Sequence, residues 1–135
     1  MLAPDYRVCN RFVQRYKYFA RQADTEGLTE VANLFRAVEQ GEMSHAMGTL
    51  QHMNDLGDPA TEAPMGDSVS NVRSALISEE FEAQEMYAAM ATTAREEGLD
   101  NLAEWFDTLQ HAQQNHHSRF SAALRELHDR GRGRD

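Results

Sequence analysis

A repeat at a fixed offset of 71 residues runs through this sequence of 135 residues. In each copy an aromatic residue and several alanines are followed by a Glu-Gly turn, and then by an acid or amide three residues before a histidine. The first copy contains Tyr16, Ala20, Ala23, Glu26, Gly27, Ala32, Phe35, Glu42 and His45. The matching residues of the second copy, in the same order, are Tyr87, Ala91, Ala94, Glu97, Gly98, Ala103, Phe106, Gln113 and His116. Residues three apart share one face of a helix. The repeat therefore predicts two duplicated helical hairpins, with a metal site where the halves meet.

Glycine and proline positions predict where the helices begin and end. Proline occurs only at positions 4, 59 and 64, and the Glu-Gly-Leu turns at 26–28 and 97–99 put a glycine just past a helix end. We predict helices at about 5–25, 28–56, 68–96 and 99–129. The predicted fold is all-α: one domain, an antiparallel four-helix bundle. It comprises hairpin one at 5–56, a linker at 57–67, hairpin two at 68–129 and a disordered basic tail at 130–135.

Composition excludes several classes of partner. The formal charge is −9, from 22 acidic and 13 basic residues, which argues against binding to nucleic acid or an anionic membrane. The single cysteine excludes an internal disulfide and a four-cysteine iron or zinc module within this sequence. No run approaches the roughly 20 apolar residues of a membrane span, and the first residues lack the features of a signal peptide. We expect a cytoplasmic protein with neither a membrane nor a nucleic-acid partner.

Polar residues interrupt the apolar helix stripes at one level of the predicted bundle. Residues equally far from a tight turn lie side by side in a hairpin, and the interrupting residues are 15 to 19 positions from Gly27 or Gly98. They are Cys9, Glu42, His45, Glu79, Glu82, Gln113 and His116. Uncompensated carboxylates in a bundle interior cost several kcal/mol each, so a cation or a proton has to compensate them. Three carboxylates with two histidines suit iron or manganese, and also zinc. The predicted principal ligands are Glu42, His45, Glu79, Glu82 and His116.

The sequence resembles the rubrerythrin branch of the ferritin-like superfamily over about residues 9–120. The matching text is Tyr16-Lys17-Tyr18-Phe19-Ala20, Glu26-Gly27, Phe35, Glu42-Met43-Ser44-His45-Ala46, Glu79-Glu80-Phe81-Glu82, Met86-Tyr87, Glu96-Glu97-Gly98 and His116. The resemblance implies a bundle that holds two irons through glutamates and two Glu-x-x-His pairs, with tyrosines nearby. It also implies peroxide reduction fed by a rubredoxin-like donor and assembly as a homodimer. Because this sequence has no rubredoxin segment, the donor would be a separate protein.

Two positions depart from the family pattern. The glutamate that the family carries on the first helix falls on Cys9, and the glutamate of its second Glu-x-x-His pair falls on Gln113. Three carboxylates neutralise two iron ions less well than five, so we expect one metal ion bound well, or two bound weakly.

Several side chains keep more than one interpretation. Cys9 is a buried apolar residue, a thiolate ligand that favours zinc, or a thiol that reacts with peroxide. Gln113 is a weak ligand or a hydrogen-bond partner of a ligand, and we favour the second. Tyr16 and Tyr87 are hydrogen-bond donors to ligand carboxylates or core aromatics. His117 is predicted to face outward.

Three functions remain open from the sequence. The first is an iron oxidoreductase that reduces hydrogen peroxide with electrons from an external protein. The second is a metal-binding protein without turnover, and the third is a structural bundle whose site is empty. We rank the third last, because five ligand-type residues at one level would then have no role.

Overall fold

The computed structural model describes the backbone of residues 3–133 and the side chains of residues 13–133. In chain order its elements are α1 (Ala3–Thr25), α2 (Thr29–His52), α3 (Ser68–Phe81), a π-helical turn (Glu82–Met86), α4 (Tyr87–Glu96) and α5 (Asp100–Arg132). α3, the π turn and α4 follow one another without a gap and form the third of the four predicted helices. The all-α fold class is confirmed. The side chain of Cys9 lies outside the described residues.

The chain divides into two compact units, Met1–Ala60 and Thr61–Asp135. In the first unit α1 packs against α2. Ala20, Ala23 and Ala32 are buried, and small side chains at a helix crossing let two backbones approach closely. The ring of Tyr16 stacks on Phe35, with centroids 5.9 Å apart.

In the second unit α3, the π turn and α4 pack against α5. The ring of Tyr87 stacks on Phe106 with centroids 6.3 Å apart, and the interplanar angle of 27° is close to the 26° of Tyr16 and Phe35. The buried alanines of this unit are Ala83, Ala91, Ala94 and Ala103. The predicted repeat is therefore present in the packing of each hairpin.

The two Glu-Gly-Leu turns also have the same geometry. Gly27 has φ 75° and Gly98 has φ 74°, in the left-handed region where glycine is least strained. Leu28 N donates to Ala23 O at 2.9 Å, and Leu99 N donates to Ala94 O at 2.8 Å. These bonds satisfy carbonyls at the ends of α1 and α4, as the sequence predicts.

Two predicted boundaries are wrong. The second helix ends at His52 instead of 56, because a turn stabilised by Leu56 N and Gly57 N bonding to Met53 O follows it. α5 continues to Arg132, three residues into the predicted disordered tail. There Arg130 pairs with Glu126 one turn earlier, which supports the added turn. Residues 134 and 135 lie outside the described residues.

The linker leads into a well-capped third helix. Asp67 precedes α3 and its carboxylate accepts from Ser70 N at 3.0 Å, which satisfies a free amide of the first turn. None of the helices in the described part of the chain is both long and apolar enough to cross a membrane.

Candidate metal centre

Four of the predicted site residues lie together in the second unit, and we call them the Glu79 cluster: Glu79, Glu82, Gln113 and His116. Glu79 is in the last turn of α3, Glu82 begins the π turn, and the other two are on α5. Because α3 and the π turn both pack on α5, the acids of one helix meet the polar residues of the other. The sequence predicts these four residues at one level of the hairpin.

Glu79 is a mostly buried acid of this cluster. Its side chain is 16% exposed, and Oε2 lies 3.5 Å from Nδ1 of His116. At 3.5 Å this is an ion-pair contact, and the buried oxygen makes no hydrogen bond of ordinary geometry to the described side chains. Burial and the negative charge of Glu82 raise the pKa of Glu79, while the imidazole of His116 acts in the opposite direction. The environment thus disfavours a bare carboxylate and favours either a proton or a cation beside it.

Gln113 contacts Glu82 directly. Its Nε2 donates a hydrogen bond to Oε2 of Glu82, across a sequence separation of 31 residues. Two roles were open to Gln113, a weak ligand or a hydrogen-bond partner of a ligand. This hydrogen bond is the contact that the second role requires.

Tyr87 lies near the same carboxylates. Burial raises the pKa of its phenol, and the negative charges of Glu82 and then Glu79 raise it further. The phenol is therefore held in its protonated form, in which its hydroxyl can donate a hydrogen bond or a proton. Tyr16, its counterpart in the repeat, packs on Phe19 and Phe35 in the first unit.

The first unit contributes one acid and one histidine, both on α2. Nδ1 of His45 lies 3.8 Å from Oε2 of Glu42, three residues earlier on the same helix face. The side chain of Glu42 is 22% exposed, whereas that of His45 is 69% exposed. Helical spacing therefore brings the two side chains together, and the imidazole of His45 is largely exposed to solvent.

His117 is a residue that the sequence places wrongly. It is predicted to face outward, yet it is half-buried and its positive charge acts to lower the pKa of Glu79. A sequence signal for this position exists: steps of four, three and four lead from Phe106 through Gln110 and Gln113 to His117. All four residues on this stripe are partly buried, whereas His116 is exposed.

A pocket of about 530 Å³ opens beside the cluster. Its lining residues are Glu79, His116, Arg119, Phe120 and Ala123. The pocket is large enough for several water molecules or a small oxidant. Glu79 and His116 therefore both border space that small solutes can enter.

The π turn coincides with the second acid of the cluster. A π turn holds one residue more than an α-helical turn, so it shifts the helix face that follows it. It starts at Glu82 and ends at Met86, immediately before Tyr87. Such single π turns within helices are frequent at functional sites. The first hairpin has a continuous α1 at the corresponding place, so the two copies differ here.

The residues present fit a divalent metal by donor type. Carboxylates and imidazoles suit iron, manganese and zinc, and Glu79 Oε2 is a buried oxygen that lacks the partner a cation would supply. Within residues 13–133, however, no three acid, cysteine or histidine side chains already stand in metal-binding geometry. The described donors instead form pairs, Glu79 with His116 and Glu42 with His45.

Comparison with known proteins shows which family the chain is similar to. Residues 12–124 match the family model described as Rubrerythrin. The chain is 30% identical over 118 residues to "Rubrerythrin" of Nitratidesulfovibrio vulgaris, a match that covers 84% of this chain and 61% of the relative. It is 28% identical over 128 residues to "Putative rubrerythrin" of Methanocaldococcus jannaschii, covering 85% of this chain and 63% of the relative. The chain thus spans less than two thirds of the length of these relatives.

Proposed function

Because this chain belongs to the rubrerythrin family, which consists of non-haem iron proteins of the ferritin-like class, we propose that it reduces hydrogen peroxide with electrons from an external protein. The observation that carries the proposal is the buried, unpartnered Oε2 of Glu79 beside His116. A buried carboxylate oxygen without an ordinary hydrogen bond, next to an imidazole, is a position that a bound cation would compensate.

The residues proposed to hold iron are those predicted from the sequence: Glu42, His45, Glu79, Glu82 and His116. Cys9 stays a weaker candidate ligand or redox thiol. We keep zinc and manganese as alternative metals, because the same oxygen and nitrogen donors serve them. Iron, when bound, supplies the electron-transfer chemistry.

The side chains of the second unit would manage protons. Reduction of one hydrogen peroxide to two waters consumes two electrons and two protons. The raised pKa of Tyr87 keeps a proton on its Oη near the carboxylates of Glu82 and Glu79. The pocket beside Glu79 and His116 gives a molecule as small as peroxide a route to them.

A metal-binding protein without turnover is the second candidate. The contact between Gln113 and Glu82 favours this candidate, because a neutral amide stands there in place of the carboxylate of the family pattern and hydrogen-bonds a carboxylate oxygen. The third candidate, a structural protein with an empty site, leaves Glu79 Oε2 without a role.

The three candidates are separated by one experiment on anaerobically purified protein. Iron is measured, the ferrous form is mixed with hydrogen peroxide, and oxidation is followed by absorbance. The proposal expects near-stoichiometric iron and fast oxidation, with two irons oxidised for each peroxide consumed. Bound iron that peroxide does not oxidise indicates the second candidate, and absence of bound iron after reconstitution indicates the third. His116→Ala should lose iron, whereas His111→Ala, an exposed histidine on the same helix, should not.

Partners follow from the resemblance and stay proposals. We propose a homodimer and a rubredoxin-like electron donor, in a reducing, cytoplasmic setting supported by the single cysteine. Light scattering during gel filtration tests the dimer. Peroxide-dependent oxidation of a reduced rubredoxin, with and without the protein, tests the donor.

A further inference from the structure

Three arginines and a histidine lie together at one end of the second unit. Nη2 of Arg73 on α3 lies 3.2 Å from Nε2 of His128 on α5, across a sequence separation of 55 residues. Arg125 is three residues before His128 and Arg132 is four residues after it, so helical spacing places them on one face of α5. All four residues are exposed. We call them the arginine patch.

No acid of the described chain neutralises the arginine patch. Other arginines, such as Arg36 and Arg95, pair with aspartates. Arg73, Arg125 and Arg132, by contrast, have no ion pair within residues 13–133. Because a guanidinium stays protonated, it can only donate in its contact with the imidazole. The patch therefore has positive charge that nothing within the described part of the chain compensates.

This positive charge belongs to a protein that is otherwise acidic. Residues 119–135 contain five arginines and three acids, a formal charge of +2. Residues 1–118 contain eight basic and 19 acidic residues, a formal charge of −11. Such an acidic protein repels nucleic acid, whereas its basic surface attracts a smaller acidic patch on a partner protein. The charge distribution thus favours an acidic protein as the partner of this surface.

Exposed apolar side chains adjoin the arginine patch on α3. Ile77 and Phe81 follow Arg73 at steps of four residues, and they are 49% and 52% exposed. Steps of four keep residues on one helix face. Glu79 is six residues after Arg73, about 9 Å further along the helix axis. The exposed face therefore extends from the patch to the level of the Glu79 cluster, with the apolar part nearest the cluster.

Stabilisation of the helix dipole does not account for the whole patch. Arg132 is in the last turn of α5, where a cation interacts favourably with the dipole. Arg125 lies seven residues earlier, and the dipole effect is confined to the terminal turn. Arg73 lies near the beginning of α3, where the dipole does not favour a cation.

We propose that the arginine patch, together with Ile77 and Phe81, is the surface on which an acidic protein docks to deliver electrons to the candidate metal centre. This inference rests on the proposed function, because only a redox centre needs such a donor. An apolar area with a charged rim is the usual anatomy of a protein–protein interface. A second copy of the chain that paired through this same face would set arginines against arginines.

The test compares two charge reversals in the full-length, iron-loaded protein. The probe is a reduced rubredoxin of negative net charge, and its peroxide-dependent oxidation is followed at low salt. Arg125→Glu should lower the second-order rate at least about tenfold, and added salt should reduce the difference. Arg21→Glu is the matched control, because it makes the same charge change on an exposed arginine of the first unit. This control should leave the rate nearly unchanged.

Binding is also measured without turnover. A redox-inert, zinc-substituted rubredoxin is titrated into the metal-free protein, and amide chemical shifts are recorded. The shifts should be concentrated at Arg73, Ile77 and the C-terminal part of α5, and Arg125→Glu should remove them. Circular dichroism verifies the helix content of each variant. Arg125→Gln, which removes the charge without reversing it, replaces Arg125→Glu if that variant does not fold.

Each other outcome contradicts the docking surface. Equal rates for Arg125→Glu and the natural sequence overturn it, and so does an equal loss in Arg21→Glu. If Arg125→Glu converts a dimer to a monomer in gel filtration, the face binds a second copy. If a single-stranded oligonucleotide binds the patch more tightly than rubredoxin does, the partner is a nucleic acid. Ferrous oxidation by peroxide without rubredoxin reports on the proposed function alone: if it is fast, only the docking proposal has failed, and if it is absent, both have.

Discussion

The Oε2 atom of Glu79 lies 3.5 Å from Nδ1 of His116, and it is buried without a hydrogen-bond partner among the described residues. The two residues come from α3 and α5, so only packing between these helices brings them together. Glu42 and His45, by contrast, are neighbours on one helix. The metal-free second unit therefore contains an acid that is poorly compensated, and this has measurable consequences.

Glu79→Gln should stabilise the metal-free protein at neutral pH by up to about 1 kcal/mol. The pKa of Glu79 is raised in the folded state, so the folded protein binds more protons than the unfolded chain. The stability associated with this group is present below the unfolded pKa of about 4.5 and is lost as pH rises through the folded pKa. The gain from the variant should hence disappear in acid. Urea unfolding of both proteins across pH measures it.

The control is Glu80→Gln, an exposed acid at the next position. It should change stability little at any pH. Equal, pH-independent effects of the two variants would contradict the role assigned to Glu79. Glu79→Gln should have the opposite effect on iron binding: it should stabilise the metal-free protein but weaken the binding of iron.

Tyr87→Phe should remove a tyrosine that ionises later in alkali than an ordinary phenol. Burial and the charges of Glu82 and Glu79 raise the pKa of Tyr87 above the ordinary value of 10.0. Ultraviolet titration of the folded metal-free protein measures phenolate formation, and Tyr16→Phe is the matched control from the other copy. If Tyr87 supplies a proton, its loss should also slow ferrous oxidation by peroxide at least about tenfold. An unchanged late titration in Tyr87→Phe would sink this assignment.

Deleting Gln84 should convert the π turn to α-helix and keep both flanking helices on their present faces. The π turn takes up one extra residue, so a one-residue deletion removes it and leaves α3 in register with α4. Glu79 should therefore stay on the face that meets α5, and the second unit should still bind metal, more weakly because Glu82 starts the turn that is lost. Gln84→Ala keeps the residue count and should bind metal normally, because Gln84 is exposed. Complete loss of metal binding by the deletion variant, with its helix content intact, would contradict this account of the π turn.

Exchanging the charges of Asp24 and Arg36 should restore most of the stability that either single change loses. The two side chains pair between α1 and α2, and Arg95 with Asp107 pairs at the matched positions of the second unit with the signs reversed. The second unit shows that the reversed order is compatible with this hairpin. Both pairs are nearly half exposed, so each coupling should be only about 0.2–1 kcal/mol. A double-mutant cycle by urea unfolding, at low and high salt, measures it.

Much of the fold is readable from the sequence because local signals are strong and repeated. Gly27 and Gly98 end helices where only a left-handed residue fits well, and Tyr16–Phe35 and Tyr87–Phe106 recur as packed pairs. The end of α2 at His52 was not readable, because turn hydrogen bonds to Met53 decide it. The partial burial of His117 could have been predicted from the sequence, because His117 lies four residues after Gln113 on the partly buried stripe that begins at Phe106.

In the candidate centre, too, some features follow from the sequence and others only from the tertiary structure. The sequence by itself determined the types of donor and their level on each helix, since helical spacing fixes which residues share a face. Only the tertiary structure decided that Gln113 bonds to Glu82, that Glu79 is left with an unpartnered oxygen and that a π turn starts at Glu82. These features depend on how α3 and the π turn pack against α5. Hydrogen bonds and desolvation act over a few ångströms between residues distant in the chain, so no local pattern encodes them.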